Sequence, residues 1–260
     1  MSKEPLQIIK IGGNIINNQE ALAEFLLAFS KIEGKKILVH GGGKRATELA
    51  AKLGVEAKMV DGRRITDQSN LEIVTMVYAG LLNKNITAQL QSFGSNAIGL
   101  SGADANVIRS HKREVKYLDY GFAGDVDEIN EGQIALLLEN NLVPVFCAIT
   151  HNKMGQLLNT NADTIASELA IAMSLKYEVS LIYIFEKNGV LRSIEDDQSV
   201  IEQINLGTYK ELVSEGVISE GMLPKVHNCF EGLKKGVSKV IIGNPTIISN
   251  TNQKFTTLVL

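Results

Sequence analysis

Cysteine is scarce in this chain of 260 residues, which contains only Cys147 and Cys229. The two lie far apart and neither belongs to a CxxC pair, which argues against a disulfide scaffold and against a cysteine-based zinc site. Cys147 follows the apolar run that begins at Val143, so we expect it to be buried.

The chain also lacks a long hydrophobic run, a leader and an excess of positive charge. No apolar stretch approaches the roughly 18 residues that span a bilayer. Segment 1–6 is short and contains Lys3 and Glu4, unlike a secretory signal peptide. The net charge of −3 gives no indication of general nucleic-acid binding. We therefore expect a cytoplasmic protein whose partners are neither membranes nor nucleic acids.

What is present is a globular composition, with 45% apolar and 21% charged residues. Strand-like and helix-like segments alternate along most of it, which predicts an α/β three-layer sandwich around a central, mostly parallel sheet. The main strands are predicted at 6–11, 36–40, 96–100, 142–149 and 179–185. Helices are predicted at 19–32, 44–53, 131–140, 161–174, 206–215 and 221–235.

Four further segments carry specific expectations. The apolar spacing over 66–93 predicts one long helix that tolerates Gly80. Alternation over 107–117 predicts an exposed hairpin, 56–60 is a short strand candidate, and 151–158 predicts a hairpin that turns at Gly155. A boundary between subdomains is predicted near residue 175.

Two strands end in glycines, at Gly12-Gly13 and at 41–43. A glycine turn between a strand and a helix lets a ligand approach backbone N–H groups and the positive end of the helix dipole. The turns therefore predict a site for an anionic ligand with Lys10 at its edge, although a purely structural role stays open on spacing alone. The motif GxxxxGK[ST] is absent, so the chain is not a P-loop protein, and no GxGxxG with a following acidic residue supports dinucleotide binding.

Three charged side chains allow two interpretations each. Lys10 ends a strand, where it faces either a structural carboxylate or an anionic substrate. Arg64 is either a surface residue beside the helix cap Thr66 or a clamp for a carboxylate. Lys225 opens a helix, where a cation is mildly unfavourable unless it faces phosphate.

The segment 159–163 allows the same two interpretations. Asn161 and Asp163 are typical helix-capping residues. Together with Asn159 they also supply two amides and a carboxylate, which can bind polar ligand groups and orient lysines.

Six blocks occur in a fixed order: KIGGN at 10–14, HGGG at 40–43, GRRIT at 62–66, GLSGAD at 99–104, NTNADTIA at 159–166 and EGMLPKV at 220–226. Their order and separations resemble the amino-acid kinase family, with its carbamate kinase-like fold. The pair GxRxT and NxNAD is similar to the members that act on N-acylated glutamate rather than on carbamate, uridylate, aspartate or free glutamate.

The resemblance implies ATP-dependent phosphorylation of the γ-carboxylate of N-acetyl-L-glutamate, giving N-acetylglutamyl 5-phosphate in the second step of arginine biosynthesis. The alternatives are N-succinylglutamate as substrate, another activity of the family, or a non-catalytic sensor on the same fold. The joint presence of Lys10, Asp163 and Lys225 favours a catalyst over a sensor.

The resemblance also implies roles for individual residues. Lys10 and Lys225 stabilise the phosphoryl group in transit, while Asp163 accepts hydrogen bonds from both lysines. The substrate is bound by Gly42, Gly43, Arg64, Asn159 and Asn161. The nucleotide is bound by Gly12, Gly13, Gly189, Gly221 and Met222. Mg²⁺ is carried mainly by the nucleotide phosphates, no protein side chain is assigned to a metal, and His40 shapes its turn.

By the same resemblance, 1–175 forms a lobe for acylglutamate binding and dimerisation, and 176–260 forms a lobe for ATP. Phe185, Glu186 and Lys187 depart from the aspartate-rich turn expected after the strand at 179–185. Arginine-inhibited hexameric members carry an added N-terminal helix, and only five residues precede Leu6 here. The expectation is a homodimer without arginine feedback, joined through the helix at 66–93.

Overall fold

The computed structural model describes residues 3–60, 62–193, 195–218, 222–249 and 253–260. Its strands are β1 (Glu4–Ile11), β2 (Lys35–His40), β3 (Met59–Val60), β4 (Arg63–Arg64), β5 (Ala97–Leu100), β6 (Ile108–Lys112), β7 (Ala123–Ile129), β8 (Val143–Cys147), β9 (Ile149–His151), β10 (Leu157–Thr160), β11 (Tyr177–Ile184), β12 (Gln203–Ile204), β13 (Lys239–Gly243) and β14 (Thr256–Leu258). Its α-helices are α1 (Gly13–Asn17), α2 (Gln19–Ser30), α3 (Gly43–Lys52), α4 (Gln68–Thr75), α5 (Asn83–Ser92), α6 (Glu131–Glu139), α7 (Ala162–Met173), α8 (Leu206–Ser214) and α9 (Leu223–Lys234).

Eight of the described strands form a central sheet in the order β12-β14-β13-β11-β1-β2-β8-β5. All neighbours in it are parallel except β13 and β14. Ile8 and Ile9 point to opposite faces of β1 and both are fully buried. Because both faces of the sheet are covered, the predicted α/β sandwich with a mostly parallel sheet is confirmed.

A second, closed sheet joins β10, β7, β6 and β9 beside the first. The predicted hairpin within 107–117 is wrong, because β6 pairs with β7, which begins at Ala123 and lies outside that segment. Its first residues, Val107 and Ile108, are fully buried, so the alternation with charged residues marks the edge of a closed sheet and not an exposed ribbon.

Two other predicted strands are modified. The apolar run at 142–149 is divided at Ala148 into β8, which lies in the central sheet, and β9, which lies in the closed sheet. Periodicity cannot detect this change of sheet because both halves are buried. The candidate at 56–60 is reduced to β3, which pairs with the unpredicted β4 in a two-stranded ribbon. The hairpin that turns at Gly155 is confirmed by the antiparallel pairing of β9 and β10.

The long helix predicted at 66–93 is present as α4 and α5, joined by a π-helical segment at Met76–Leu82. A π-helix closes its hydrogen bonds over five residues, and such segments often occur at functional sites. This one presents Tyr78 and Leu82 to Gly42. A Cβ atom on Gly42 would lie 2.4 Å from Leu82 Cδ1 and 2.9 Å from Tyr78 Cδ1. The backbone φ angle of Gly42 is +157°. Only glycine fits this position.

Lys36 is a buried cation that closes the end of α2. Its ammonium donates to the carbonyl oxygens of Phe29 at 2.9 Å, Ser30 at 2.9 Å and Ile32 at 2.6 Å. Burial lowers the pKa of Lys36. Three carbonyls at the negative end of a helix dipole compensate the cost of burying the charge.

We expect Lys36→Met to lower the free energy of unfolding by about 2 kcal/mol, since it removes charged hydrogen bonds and leaves the carbonyls without a donor. Lys35→Met is the matched control, because Lys35 pairs with the exposed Glu4 and should contribute less than about 1 kcal/mol. Urea unfolding of both variants measures the difference. Equal losses would contradict the role assigned to Lys36.

No helix within the described ranges has the length and apolar character needed to cross a membrane.

Candidate active site

Three neighbouring cavities lie at the carboxyl ends of β1, β2 and β11, where ligands bind in parallel sheets. Cavity A, of about 160 Å³, is lined by residues that include Gly41, Gly42, Gly43, Arg64 and Asn159. Cavity B, of about 440 Å³, is lined by residues that include Lys10, Gly12, Gly13, Gly189 and Met222. The walls of cavity C, of about 420 Å³, include Asp163 and Asn228.

Cavity C connects the other two through shared wall residues. It has Arg63 and Asn161 in common with cavity A. It has Phe185 and Lys225 in common with cavity B. The three cavities therefore form one cleft, in which ligands bound in A and B can meet. Ser101 and Gly102, which the sequence places after a strand of the same sheet, line none of the three.

Lys10 forms an ion pair with Asp163, with 2.6 Å between Nζ and Oδ1. Lys10 comes from the end of β1 and Asp163 from the first turn of α7. The side chains are 11% and 29% exposed, so the pair is held in low dielectric yet still borders the cleft. The partner that a buried lysine requires is therefore present, and both residues face cavity space.

Lys225 lies in the first turn of α9 and lines cavities B and C. The expectation that Asp163 accepts hydrogen bonds from both lysines is wrong for this structure, because no described carboxylate lies within 4.0 Å of the Lys225 ammonium. Lys225 instead lies over the Phe185 ring, with Nζ 4.7 Å from the ring centroid.

Arg64 is 5% exposed and lines cavity A from β4. One guanidinium nitrogen donates to Gly43 O at 3.1 Å and to Thr47 Oγ1 at 2.7 Å. The other terminal nitrogen donates to Asn70 Oδ1 at 3.2 Å. These contacts fix the side chain beside the second glycine turn, so Arg64 is not a surface residue.

The two asparagines have different functions in the fold. Asn159 donates from Nδ2 to Thr66 Oγ1 at 2.9 Å, which ties β10 to the segment after Arg64. Asn161 is the N-cap of α7, and its Oδ1 accepts from the N–H groups of Asp163 and Thr164. Both line cavity A, so the capping and the site interpretations of Asn161 are compatible.

The other predicted nucleotide residues border cavity B, with one exception. Gly12, Gly13, Gly189 and Met222 line it. Gly221 lies outside the described residues.

Glu186 and Lys187, the departures noted in the sequence, also border cavity B. Glu186 accepts a hydrogen bond from Asn14, which also lines cavity B. Lys187 pairs with Asp197 at 2.7 Å. Both charges are therefore engaged by neighbours at the surface.

His40 is fully buried between the sheet and α5. Its Nδ1 lies 2.8 Å from Gly41 O and its Nε2 lies 3.1 Å from Asn83 Nδ2. Since a carbonyl only accepts and an amide NH₂ only donates, the ring is neutral with its proton on Nδ1. Burial lowers the pKa of His40 to about 4. The structural interpretation of His40 fits this environment.

A neutral buried histidine makes stability depend on pH. Between the folded pKa of about 4 and the ordinary value of 6.5, the unfolded chain binds the extra proton, so stability falls as the pH falls through this window. We expect His40 alone to cost about 2 kcal/mol of unfolding free energy between pH 7 and pH 5. His40→Asn should lose that dependence in urea unfolding, whereas the exposed His227→Asn should keep it. Parallel pH profiles for the wild type and His40→Asn would refute this assignment.

Three residues of the cleft were given no role from the sequence: Tyr78, Arg113 and Arg63. Tyr78 reaches cavity A from the π-helical segment, and Arg113 reaches it from the end of β6, where it pairs with Asp125. Arg63 lines cavities A and C. Phe185, which the sequence already placed in the turn after the strand at 179–185, lines cavities B and C. Arg63 was visible as part of GRRIT, but Tyr78 and Arg113 are brought in by the fold without a motif of their own.

The chain is similar to known proteins along nearly its whole length. The model of the amino acid kinase family matches residues 5–244. An acetylglutamate kinase of Phocaeicola vulgatus is 55% identical over 251 residues, covering 96% of this chain and 96% of its own length. One of Cytophaga hutchinsonii is 56% identical over 240 residues, covering 92% and 91%. A carbamate kinase of Giardia lamblia bound to AMP-PNP is similar in fold, with a TM-score of 0.68 at 16% identity over 100% of this chain and 99% of that one.

Proposed function

The chain belongs to the amino acid kinase family, and from this premise we propose that it transfers the γ-phosphoryl group of ATP to the γ-carboxylate of N-acetyl-L-glutamate. The product is N-acetylglutamyl 5-phosphate, an intermediate of arginine biosynthesis. The relatives at 55% and 56% identity are named acetylglutamate kinase and match the chain over nearly its whole length. The observation that carries the proposal is that Lys10, Asp163 and Lys225 line cavities B and C, and that cavity C shares wall residues with cavity A.

The charges of the cleft suit this reaction. A carboxylate that attacks a phosphate brings two anions together, and phosphoryl transfer depends on positioning and charge neutralisation. Lys10 and Lys225 supply two positive charges against the one negative charge of Asp163. The nucleophile is already ionised at neutral pH, so the reaction requires no general base. This agrees with a site whose nearby histidine, His40, is buried and neutral.

We assign cavity A to the acylglutamate and cavity B to the nucleotide. Cavity A is the smaller and contains Arg64, which keeps donors free for the substrate α-carboxylate since three of its five N–H bonds are used inside the protein. In this assignment Gly42, Gly43, Asn159 and Asn161 contact the acylglutamate. Gly12, Gly13, Gly189 and Met222 contact ATP, and so does Gly221, which the structure does not describe.

Mg²⁺ enters this proposal with the nucleotide. Among the described residues, no group of three or more His, Cys, Asp or Glu side chains is placed to hold a metal. The carboxylate nearest the point of transfer, Asp163, is engaged by Lys10. In this proposal the phosphates of ATP supply the main ligands of the ion, whose charge offsets theirs.

Three finer statements complete the proposal: a division into 1–175 for acylglutamate and 176–260 for ATP, a homodimer, and a cytoplasmic location. For the dimer we propose the helix formed by α4, the π-helical segment and α5 as the contact. Met76 and Leu81 on it are 52% and 47% exposed, so they offer apolar surface that a second copy of the chain can cover. Light scattering on the purified chain measures the oligomeric state, and a monomer would exclude this contact.

The test of the function is ATP turnover with glutamate, N-acetylglutamate and N-succinylglutamate offered separately. Turnover with N-acetylglutamate supports the proposal, and free glutamate should be a poor substrate because it lacks the acyl group that would contact Asn159. No turnover with any of the three would overturn the kinase assignment.

A second candidate is N-succinylglutamate, and Arg63 favours it. The Arg63 side chain borders cavity A beside Arg64, and no described carboxylate lies within 4.0 Å of it. A guanidinium in that position can pair with the extra carboxylate of a succinyl group.

If succinyl is the acyl group, Arg63→Leu should lower kcat/KM for N-succinylglutamate by about ten-fold or more and change that for N-acetylglutamate by less than about two-fold. The ratio of the two specificity constants, before and after substitution, measures the effect. An unchanged ratio would remove Arg63 from acyl recognition.

A further inference from the structure

Phe185 lies within cation–π distance of both lysines of the cleft. It follows the last residue of β11, and its N–H donates to Gly243 O at 2.8 Å. The preceding carbonyl, Ile184 O, accepts from Gly12 N–H at 3.2 Å. The backbone of Phe185 is thus fixed between the ends of β1 and β13.

The ring of Phe185 is also held in place. It stacks on Tyr183 with 6.1 Å between ring centroids and 13° between planes. Tyr183 is 5% exposed, and its hydroxyl donates to Asp163 O at 3.2 Å. Through this contact the aromatic pair is attached to the first turn of α7, which carries the partner of Lys10.

Both ammonium groups lie within cation–π distance of the ring. Lys225 Nζ is 4.7 Å and Lys10 Nζ is 5.7 Å from the Phe185 centroid. Such contacts contribute when a cation lies within about 6 Å of the centroid, and they strengthen as water is excluded. Lys10 has Asp163 as a second partner, whereas the ring is the contact observed for Lys225.

We propose that Phe185 is a positioning residue for phosphoryl transfer, whose ring holds the Lys225 ammonium beside Lys10 at the junction of cavities B and C. The negative face of the ring offsets part of the repulsion between two like charges, and it does so without a carboxylate that would repel phosphate. Lys225 is thereby oriented yet keeps all three N–H donors for the transferred group. This inference rests on the proposed kinase function.

Two substitutions at one position test it. Phe185→Leu keeps an apolar side chain but removes the ring, and we expect kcat to fall about ten-fold while KM for N-acetylglutamate changes less than about two-fold. Phe185→Tyr keeps the ring face and should restore most of kcat. A loss of kcat that Tyr does not restore, or an unchanged kcat in Phe185→Leu, would overturn the proposal.

The same substitution in a Lys225→Met background separates positioning from a merely structural effect. If Phe185 acts through Lys225, Phe185→Leu should lower the residual kcat of Lys225→Met by less than about two-fold. A further ten-fold loss in that background would show that the ring acts elsewhere. Absence of turnover in the wild type would instead refute the kinase function itself, so the two failures are distinguishable.

Discussion

Lys225→Met should lower kcat by two to three orders of magnitude, roughly what a charged group directed at the transition state contributes. The side chain is exposed at the start of α9, so its loss should leave the thermal unfolding temperature nearly unchanged. Because Arg64 and cavity A are not altered, KM for N-acetylglutamate should stay within about three-fold of the wild type. Steady-state kinetics with N-acetylglutamate and ATP measure both constants.

Lys234→Met is the control for this variant. Lys234 lies in the last turn of the same helix and pairs with the exposed Glu231. It should retain wild-type kinetics, since its charge is remote from the cleft. A wild-type kcat in Lys225→Met would remove Lys225 from the phosphoryl site.

Asp163→Ala should damage both stability and catalysis, because it leaves the Lys10 ammonium, 11% exposed, without its carboxylate. Removing one partner of a buried ion pair costs about 3–5 kcal/mol. The 29% exposure of Asp163 and the remaining contact of Lys10 with Phe185 reduce the expected loss to about 2 kcal/mol. We expect kcat to fall by about two orders of magnitude as Lys10 loses its orientation.

The double variant Lys10→Met/Asp163→Ala separates the two effects. Without the ammonium there is no unpaired charge, so the free energy of unfolding should return most of the way to the wild-type value. The activity should not return, because the cation that faces the phosphate is gone. Urea unfolding and initial rates on the three proteins measure this, and a single variant as stable as the wild type would contradict the argument.

The order of strands and helices was largely predictable, because buried parallel strands and amphipathic helices leave different periods in the sequence. The pairing of the strands was less predictable. Nothing in the run at 142–149 indicates that it changes sheet at Ala148, and the partner of β6 lies beyond a loop rather than next to it. Strand partners are chosen by tertiary contacts, which local patterns do not record.

Cleft residues that belong to sequence motifs could be predicted, whereas those that only the fold brings to the cleft could not. Arg64 and Asp163 belong to motifs, and their presence beside the cavities could be anticipated. Tyr78 could not, since its position depends on a π-helical segment that an α-helical period does not distinguish. The contact of Lys225 with a ring instead of Asp163 was also hidden, because it depends on Phe185, a side chain just after β11 that stacks on Tyr183.

The neighbours of β1 determine when the cleft can form during synthesis. β1 pairs with β11, with Glu4 opposite Tyr177 and Ile11 opposite Ile184. During synthesis β1 therefore lacks this partner until more than 170 further residues have been added. Closing so long a loop is entropically slow. Until β11 emerges, one edge of β1 exposes unpaired N–H and C=O groups to other chains. A nascent or C-terminally truncated chain is therefore prone to aggregation, and it has no phosphoryl site, because Lys10 meets Phe185 and Lys225 only after this pairing.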